Sequence, residues 1–497
     1  MRKLAKQLTL FSLEVLGVLE KTKGIGITVK QLSKSLNMTE GQVEDSLREL
    51  ESTGNAVRVG RGLWIDKRYQ ELENIPDFRG PEDYIESFVK EYGVSLQEDK
   101  QKINTTSNLN EPVHRWARII QGFSSTFVNS TLDRYGITQG ARVLDPFLGC
   151  GTVPVCAKMR GMSGIGVDMF PLFTFMSKVK TTWDLDIKKI QRAKESLNPK
   201  SRASVAVPKF LCSKKQFKTR VLGNLLNLKQ AILSVDDPKT RDLFMLAFVS
   251  TLIPCSNLER SPCLGYTEKN VQDNDPFELF AQEINKMIED LQLIQSKGTL
   301  GSAMIILGDS RQVSYAPETI DVAITSPPYM SGMDYVINYK IEMAWLDLVE
   351  SYEELSKLKN KMVVCDNVTR DLIRQFSKKD RVYSNEWLDD IVARLSTKMK
   401  LKPSYRRNDM HLVVQKYFDD LYPVFKKVYA GLKQGGKFVI VIGDSLIATV
   451  YIPTDLILAK MGEEVGFRIE EVRIARGRRS GQRTGFTLRE SILTLCK

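Results

Sequence analysis

The segment V-L-D-P-F-L-G-C-G-T, residues 143–152, constrains the fold more than any other part of the chain. It predicts a strand that ends in a glycine turn, followed by the start of a helix. Two glycines let the backbone approach a ligand closely, and free N–H groups at a helix start favour an anion. A second predicted strand, 164–168, ends in Asp168. In Rossmann-like units an acid about 20 residues after the glycine turn commonly binds ribose hydroxyls. An α/β fold with a ligand site at the strand ends is therefore predicted.

A second motif lies downstream, at Ser326-Pro327-Pro328-Tyr329. It follows an apolar run, 321–325, that predicts a buried strand, and two prolines stop that strand. Ligands bind at the carboxyl ends of strands in open α/β sheets, so a site is expected here. The Tyr329 ring would stack on a flat, amine-bearing ring, and the Ser326 hydroxyl and Pro327 carbonyl would hold its NH2 group. Taken alone, the tetrapeptide is more simply a strand followed by a Pro-Pro turn, and the upstream motif shifts the balance.

Together the two motifs resemble those of the amino-methyltransferases, which move a methyl group from S-adenosylmethionine to an exocyclic amine of DNA. The string D-P-F-x-G-x-G-T is similar to the family's cofactor motif, and T-S-P-P-Y to its catalytic motif. The resemblance runs from about His114 to the C-terminus and implies a Rossmann-like class I methyltransferase sheet with helical insertions. Ser at position 326 is typical of the cytosine-N4 type, as are M-D-Y (333–335) and M-A-W-L (343–346). Adenine-N6 methylation stays open as the first alternative.

The resemblance also implies roles for individual residues. The catalytic residues would be Ser326, Pro327, Pro328 and Tyr329. The cofactor would be bound by Phe123, Ser124, Asp145, Pro146, Phe147, Gly149, Gly151, Thr152, Asp168 and Asp309. Asp309 ends another predicted strand and would accept a hydrogen bond from the adenine amine, although an Asp that caps the next turn is the plain alternative. For Phe123 and Ser124, a capped helix with a buried Phe is as good an interpretation.

Composition supports a polyanionic partner and gives no sign of a metal or a membrane. The net charge is +12, which fits double-stranded DNA, although many basic proteins bind no nucleic acid. Seven cysteines form no C-x-x-C pair and only two histidines are present, so no metal site is expected. No apolar run is long enough to span a bilayer, and the start lacks a signal-peptide core. We expect a protein of the prokaryotic cytosol or nucleoid.

Apolar spacing and turn residues predict the domain organisation. Residues 1–68 resemble a winged helix, and a role in DNA contact and a protein-docking or purely structural role both stay open. Residues 69–112 would be a linker with one helix, 81–92. The catalytic domain would comprise 113–184, 301–349 and 411–497. A helical insertion, 185–300, is the candidate target-recognition region, and 350–410 is a second, basic insertion. Candidate DNA contacts lie in the second insertion and in a cationic loop over 476–484: Arg406, Arg407, Arg476, Arg478, Arg479 and Arg483.

These features predict a DNA methyltransferase specific for cytosine N4 that flips its target base. A restriction endonuclease of the same system is a possible partner of such an enzyme. The alternatives are adenine-N6 methylation, methylation of RNA, and a DNA-binding regulator with an inactive methyltransferase body. The intact motifs at 145–152 and 326–329 argue against the inactive regulator.

Overall fold

The computed structural model describes residues 8–22, 27–59, 63–67, 80–99, 103, 105–117, 119–199, 204–211, 213–261, 263–298, 300–365, 367–401, 407–479 and 487–497. These residues divide into two compact units, one comprising 1–80 and 393–411 and the other 81–392 and 412–497. Within the described residues, every helix is too short or too polar to span a lipid bilayer.

The larger unit is built on an eight-stranded, mostly parallel sheet. Its strands are β4 Leu96–Glu98, β5 Arg142–Asp145, β6 Ser163–Asp168, β9 Ser302–Leu307, β10 Ile320–Thr325, β11 Leu432–Gly443, β14 Arg468–Arg479 and β15 Thr487–Cys496. The order is β4-β14-β15-β11-β10-β5-β6-β9. Five neighbouring strands, from β11 to β9, are parallel, and β15 is antiparallel to both β11 and β14. This is the predicted Rossmann-like sheet with an antiparallel hairpin added at one side.

The order in which the chain adds strands to the sheet changes direction between β5 and β10. This switch point determines where a ligand can bind. From β5 the chain continues to β6 and β9 on one side, whereas β10 leads to β11 on the other. At such a switch point the connecting segments diverge and leave a crevice beyond the carboxyl ends of the strands. Both sequence motifs follow these two strands, so the topology brings them to one edge of the sheet.

Helices cover both faces of the sheet. On one face, Val439 and Val441 of β11 belong to a core shared with Phe127 and Val128. On the other face, the ring of Phe438 lies 5.1 Å from that of Phe425. A larger core holds the helical insertion together around Trp345 and Phe248, whose ring centroids are 5.7 Å apart. Alternate residues of β11 therefore face opposite layers, as expected for a strand buried on both sides.

The helices of the larger unit are α4 Pro81–Tyr92, α5 Ser125–Arg134, α6 Thr152–Met159, α7 Pro171–Thr181, α8 Ile187–Ser196, α9 Ser213–Gln216, α10 Thr219–Leu233, α11 Pro238–Leu252, α12 Asp275–Gln295, α13 Tyr335–Asn338, α14 Lys340–Trp345, α15 Tyr352–Lys361, α16 Arg370–Phe376, α17 Glu386–Leu401, α18 Met410–Gly431 and α19 Thr454–Val465. The end of α17 and the start of α18 belong to the smaller unit. Two short antiparallel pairs complete the strands: β7 Leu258–Arg260 with β8 Leu264–Tyr266, and β12 Ser445–Ile447 with β13 Val450–Ile452.

The smaller unit contains the predicted helices and hairpin. Its elements are α1 Leu10–Thr22, β1 Ile27–Thr28, α2 Val29–Leu36, α3 Glu40–Ser52, β2 Ala56–Val59 and β3 Leu63–Asp66. Thr28 and Thr39 each form a capping box, which fixes where α2 and α3 begin. Its own core includes Leu19, Val43 and Leu47. Membership of the winged-helix class and contact with DNA stay predictions.

The predicted linker, 69–112, is wrong from residue 81 onward. Helix 81–92 is present as predicted, but β4 then pairs with β14 and adds a strand to the central sheet. Asn108 further ties this segment to the sheet unit, since its Oδ1 accepts a hydrogen bond from Ser125 N at 2.8 Å. The boundary between the units therefore lies at residue 80.

Candidate active site

A cavity of about 370 Å³ lies at the sheet edge where β5, β6, β9 and β10 end. Its volume falls within the range of about 300–1,000 Å³ that is typical of ligand pockets. The cavity is lined by both sequence motifs, because Phe147, Gly149 and Thr152 reach it from one side of the switch point and Ser326 and Tyr329 from the other. One pocket is therefore large enough and suitably placed for two reactants to meet.

The glycine turn is shaped by close packing and by a hydrogen bond from its backbone. Gly151 is the N-cap of α6 with φ of +81°, and a Cβ there would come within 2.7 Å of Ser177 Oγ. Gly149 N donates to Asp168 Oδ2 at 2.9 Å. Since Gly151 has no side chain to cap α6, the first N–H groups of that helix are left for a ligand.

Two carboxyl groups line the cavity near this turn, that of Asp145 buried and that of Asp168 partly buried. Burial raises the pKa of Asp145 to about 7, against the opposing effect of hydrogen bonds from the Thr325 hydroxyl and from Phe147 N. Burial likewise raises the pKa of Asp168 to about 6, and the backbone N–H groups of Phe170 and Gly149 oppose that shift. Within the described residues, neither carboxyl group has a cationic partner among its hydrogen bonds, so both can accept hydrogen bonds from the hydroxyl and amine groups of a ligand.

Asp309 also lines the cavity, but most of its acceptor capacity is occupied. Arg311 Nε donates to Asp309 Oδ1 at 2.9 Å, and Arg311 Nη2 donates to Oδ2 at 2.8 Å. The same guanidinium donates to Asp420 Oδ1 at 2.8 Å and to the Lys361 carbonyl oxygen at 2.5 Å. The predicted bond from Asp309 to an adenine amine stays a prediction and must use the lone pairs that Arg311 leaves.

The motif at 326–329 is fixed by partners far away in the sequence. The Tyr329 hydroxyl donates to Glu490 Oε1 at 2.6 Å, and Tyr417 donates to the Pro328 carbonyl oxygen at 2.8 Å. Burial, followed by the charge of Glu490, raises the pKa of Tyr329 well above its ordinary value, while the nearby Ser326 side chain has a smaller opposing effect. Tyr329 is therefore a neutral, rigidly oriented ring at the cavity wall.

The cationic segment at 476–479 is part of a strand, and the prediction of a flexible loop from residue 476 is wrong. Arg476–Arg479 continue β14 and pair with Thr487–Glu490 of β15. Arg476 and Arg478 line the cavity, where Arg476 Nε donates to Glu490 Oε2. Their predicted contact with the DNA backbone stays a prediction. The position of Arg483 and the side chain of Arg479 lie outside the described residues.

Three other predicted residues have structural partners that count against direct roles. Ser124 is buried and caps α5, where its Oγ accepts from Phe127 N at 3.0 Å, and only its neighbour Phe123 lines the cavity. The Pro146 carbonyl accepts a hydrogen bond from Ser310 Oγ, and Pro146 does not line the cavity. Arg407 is buried and forms an ion pair with Asp409 at 2.7 Å. Arg406 lies outside the described residues.

A third group of lining residues was not predicted from the sequence. Lys361, Met362 and Val363 reach the cavity from the second insertion, and Glu490 reaches it from the last strand. The remaining lining residues outside the predicted set are Ile119, Ile120, Gln121, Gly122, Leu148, Cys150, Met169, Phe173, Ser310 and Tyr335. Glu490 could have been found from the sequence, because a charged residue within an apolar strand, T-L-R-E-S-I-L-T-L, needs a partner. Among the described residues, no group of His, Cys, Asp and Glu side chains could hold a metal ion.

The chain is similar to several Type II methyltransferases, although no protein-family model matches it. M.BsoBI from Geobacillus stearothermophilus is 24% identical over 426 residues, which cover 74% of this chain and 81% of that protein. M.AvaI from Nostoc sp. is 22% identical over 410 residues, covering 74% and 82%. M.MvaI from Kocuria varians is 23% identical over 387 residues, covering 71% and 82%.

The chain thus resembles Type II methyltransferases over about three quarters of its length. The predicted methyltransferase resemblance is therefore confirmed, and with it S-adenosylmethionine as the cofactor. Among solved structures, an S-adenosylmethionine-dependent methyltransferase from Methanosarcina mazei is 9% identical and covers 74% of this chain and 96% of its own, with a TM-score of 0.26. That score is too low to carry an argument. The strand order of the central sheet itself is the evidence for the fold.

The residues around the glycine turn fit this cofactor. The uncapped start of α6 would offer N–H groups to its carboxylate, and the Asp145 and Asp168 carboxyl groups would offer acceptors to its hydroxyl groups and amine. Phe173 and Ile119 add apolar surface to the same cavity. We assign the cofactor to this part of the cavity as a proposal, with Asp168 as the ribose-binding acid.

Proposed function

We propose that the protein transfers a methyl group from S-adenosylmethionine to the N4 amine of a cytosine in duplex DNA. The observation that carries this proposal is the shared cavity, in which Gly149 and Thr152 of the glycine turn and the motif at 326–329 line one volume. Similarity to Type II methyltransferases over about three quarters of the chain supports the reaction class. Ser326 at the first catalytic position supports cytosine as the target.

The proposed chemistry needs positioning more than an activated side chain. S-adenosylmethionine supplies a methyl group on a positively charged sulfur. The cytosine amine is a weak nucleophile because its lone pair is delocalised into the ring. Hydrogen bonds accepted from this NH2 group by the Ser326 hydroxyl and the Pro327 carbonyl would favour tetrahedral geometry at nitrogen. As the nitrogen–methyl bond forms, the carbon–sulfur bond would break to leave the neutral thioether S-adenosylhomocysteine, and the nitrogen would release one proton. Catalysis then comes from holding two reactants in line and from fixed dipoles at the amine.

The target base must leave the helix before it can enter such a cavity. A base inside a duplex presents its amine to its pairing partner, so the enzyme has to extrude the nucleotide and hold it. Tyr329, oriented by Glu490, is the aromatic surface that would stack on the extruded base. The net charge of +12 favours association with the phosphate backbone. A cognate restriction endonuclease stays a prediction.

The decisive experiment incubates the protein with unmodified duplex DNA and S-adenosylmethionine that carries an isotopic label in its methyl group. Mass spectrometry of the digested nucleosides should find the label in N4-methylcytosine. Labelled N6-methyladenine would refute the base assignment and leave the reaction class intact. Transfer to single-stranded RNA alone would refute the DNA substrate, and no transfer to any nucleic acid would favour an inactive methyltransferase body.

Ser326→Ala tests the role of the hydroxyl within the motif. We expect methyl transfer to fall by about 10²-fold or more, because one oriented dipole at the reacting amine is lost. Cofactor affinity, measured by calorimetry, should stay within about twofold, because the proposed cofactor residues lie around the glycine turn. Loss of cofactor binding in this variant would instead place Ser326 in the cofactor site.

A further inference from the structure

Arg478 is held in one position beside the catalytic motif. Its Cζ lies 5.3 Å from the ring centroid of Tyr329, and its Nη2 donates to the Asp444 carbonyl oxygen at 2.9 Å. Gly443 leaves room for this arrangement, since a Cβ at that position would collide with both Arg478 Nη2 and the Tyr329 ring. Two contacts, and the space left by a glycine, therefore fix a guanidinium at the wall of the cavity.

The charge of Arg476 is compensated by an ion pair, whereas that of Arg478 is not compensated by any described residue. Arg476 pairs with Glu490, whose other carboxylate oxygen accepts the Tyr329 hydroxyl. Within the part of the chain that the structure describes, Arg478 forms no ion pair, and its buried Nε has no hydrogen-bond partner. A cation with unused donors at the wall of an active-site cavity calls for a ligand that presents acceptors.

The edge of a flipped cytosine presents such acceptors next to the reacting amine. Going along that edge from N4, the next two groups are N3 and O2, and both accept hydrogen bonds. A guanidinium donates two parallel hydrogen bonds and matches such a pair, as it does with the paired acceptors of guanine. On adenine, the positions that follow the N6 amine are the acceptor N1 and a C–H group. An arginine at this place therefore favours cytosine over adenine.

We propose that Arg478 is a specificity-determining residue that binds N3 and O2 of the target cytosine, with Glu490 orienting Tyr329 and neutralising Arg476. The inference rests on the proposed function and deepens it. It assigns recognition of the target base to the β14–β15 hairpin, in addition to the catalytic motif. It also gives Arg478 a role at the reacting base in place of the predicted contact with the DNA backbone.

The test combines two changes in a double-mutant cycle. Once methylation by the wild-type protein has located the recognition site, duplexes are made with cytosine or with 3-deazacytosine at the target position. The analogue keeps the amine and O2 but lacks the N3 acceptor. The kcat/KM of methyl transfer is measured for the wild type, Arg478→Gln and Arg478→Lys. Arg468→Gln is the matched control, because Arg468 lies on the same strand with its side chain 69% exposed.

For each protein, kcat/KM on cytosine is divided by kcat/KM on the analogue. We expect this ratio to be larger by about tenfold or more for the wild type and the control than for either Arg478 variant. Arg478→Lys keeps the charge but loses the paired donors, so it should resemble Arg478→Gln. Additive effects of the two changes would overturn the inference. Reduced affinity of both variants for the cofactor alone would also overturn it, and would assign Arg478 to the cofactor carboxylate.

Different results would contradict the proposed function and the role of Arg478. A wild-type protein that methylates no cytosine in DNA contradicts the proposed function and this inference with it. A wild-type protein that forms N4-methylcytosine but shows no coupling between Arg478 and N3 contradicts the inference alone. Cofactor affinity measured for each variant shows that the cavity is still folded, so a misfolded variant cannot pass for a specificity effect.

Discussion

Asp145 is the residue whose environment has the clearest consequence in solution. Its carboxyl group is buried and its pKa is about 7, compared with about 4 in an unfolded chain. Between these two values the folded protein binds a proton that the unfolded chain releases. The contribution of Asp145 to stability is therefore complete at low pH and is lost as the pH rises from about 4 to about 7, at about 1.4 kcal/mol per pH unit.

Asp145→Asn removes this titration while keeping an oxygen that can accept from Phe147 N. The stability of the variant relative to the wild type should increase by about 2–3 kcal/mol between pH 5 and pH 8, because only the wild type then buries a charge. Urea unfolding of both proteins at several pH values measures the difference. A difference that does not change with pH would mean that the Asp145 carboxyl keeps an ordinary pKa in the folded protein.

Gly151 offers a second test at a single residue. Alanine there would require a positive φ and would also bring its Cβ close to Ser177 Oγ. Gly140 is a matched control, since its φ of +85° is similar and a Cβ there would meet no atom within 4 Å. We expect Gly140→Ala to cost about 1 kcal/mol of stability, and Gly151→Ala to cost about 1–3 kcal/mol more and to weaken cofactor binding. Equal losses in both variants would show that Ser177 moves aside easily.

At the scale of single elements, the sequence predicted local structure well and distant pairings poorly. The strand and glycine turn at 143–152 and helix 81–92 follow from nearby residues, through apolar spacing, glycine and proline. Glu490 and Tyr329 are 161 residues apart, and their contact depends on the register of β15 against β11. Arg476 and Arg478 both face the cavity because β14 continues past its last apolar residue. Composition alone predicted a loop for that part of the chain.

The connection between β9 and the second insertion is an element-scale feature that no motif indicated. Arg311 joins Asp309, Asp420 and the Lys361 carbonyl, and Val364 N donates to the other oxygen of Asp420 at 3.1 Å. The cavity wall formed by 361–363 is therefore anchored through one guanidinium. Both carboxylates are largely buried. Asp309 depends on the Arg311 charge, whereas Asp420 also pairs with Lys416 Nζ at 2.9 Å.

Arg311→Gln should remove this anchor, leaving the Asp309 carboxylate without its ion pair and Asp420 with Lys416 as its remaining cation. We expect a loss of about 3 kcal/mol of stability and faster hydrogen exchange at the Val364 amide. Arg220→Gln is the control, because its side chain is 84% exposed and its ion pair with Asp273 contributes little. Unchanged exchange at Val364 would show that other contacts hold the wall in place.

At the scale of the whole molecule, the two compact units have separate hydrophobic cores, and every residue that lines the cavity belongs to the larger unit. A ligand that binds only one folded unit stabilises that unit in proportion to its occupancy. Calorimetry should therefore resolve two unfolding transitions. A non-reactive cofactor analogue at about 100 times its Kd should stabilise only the larger unit, by about 2.7 kcal/mol. If a single transition moves as a whole, the two units unfold cooperatively, and the smaller one then contributes to the stability of the cavity.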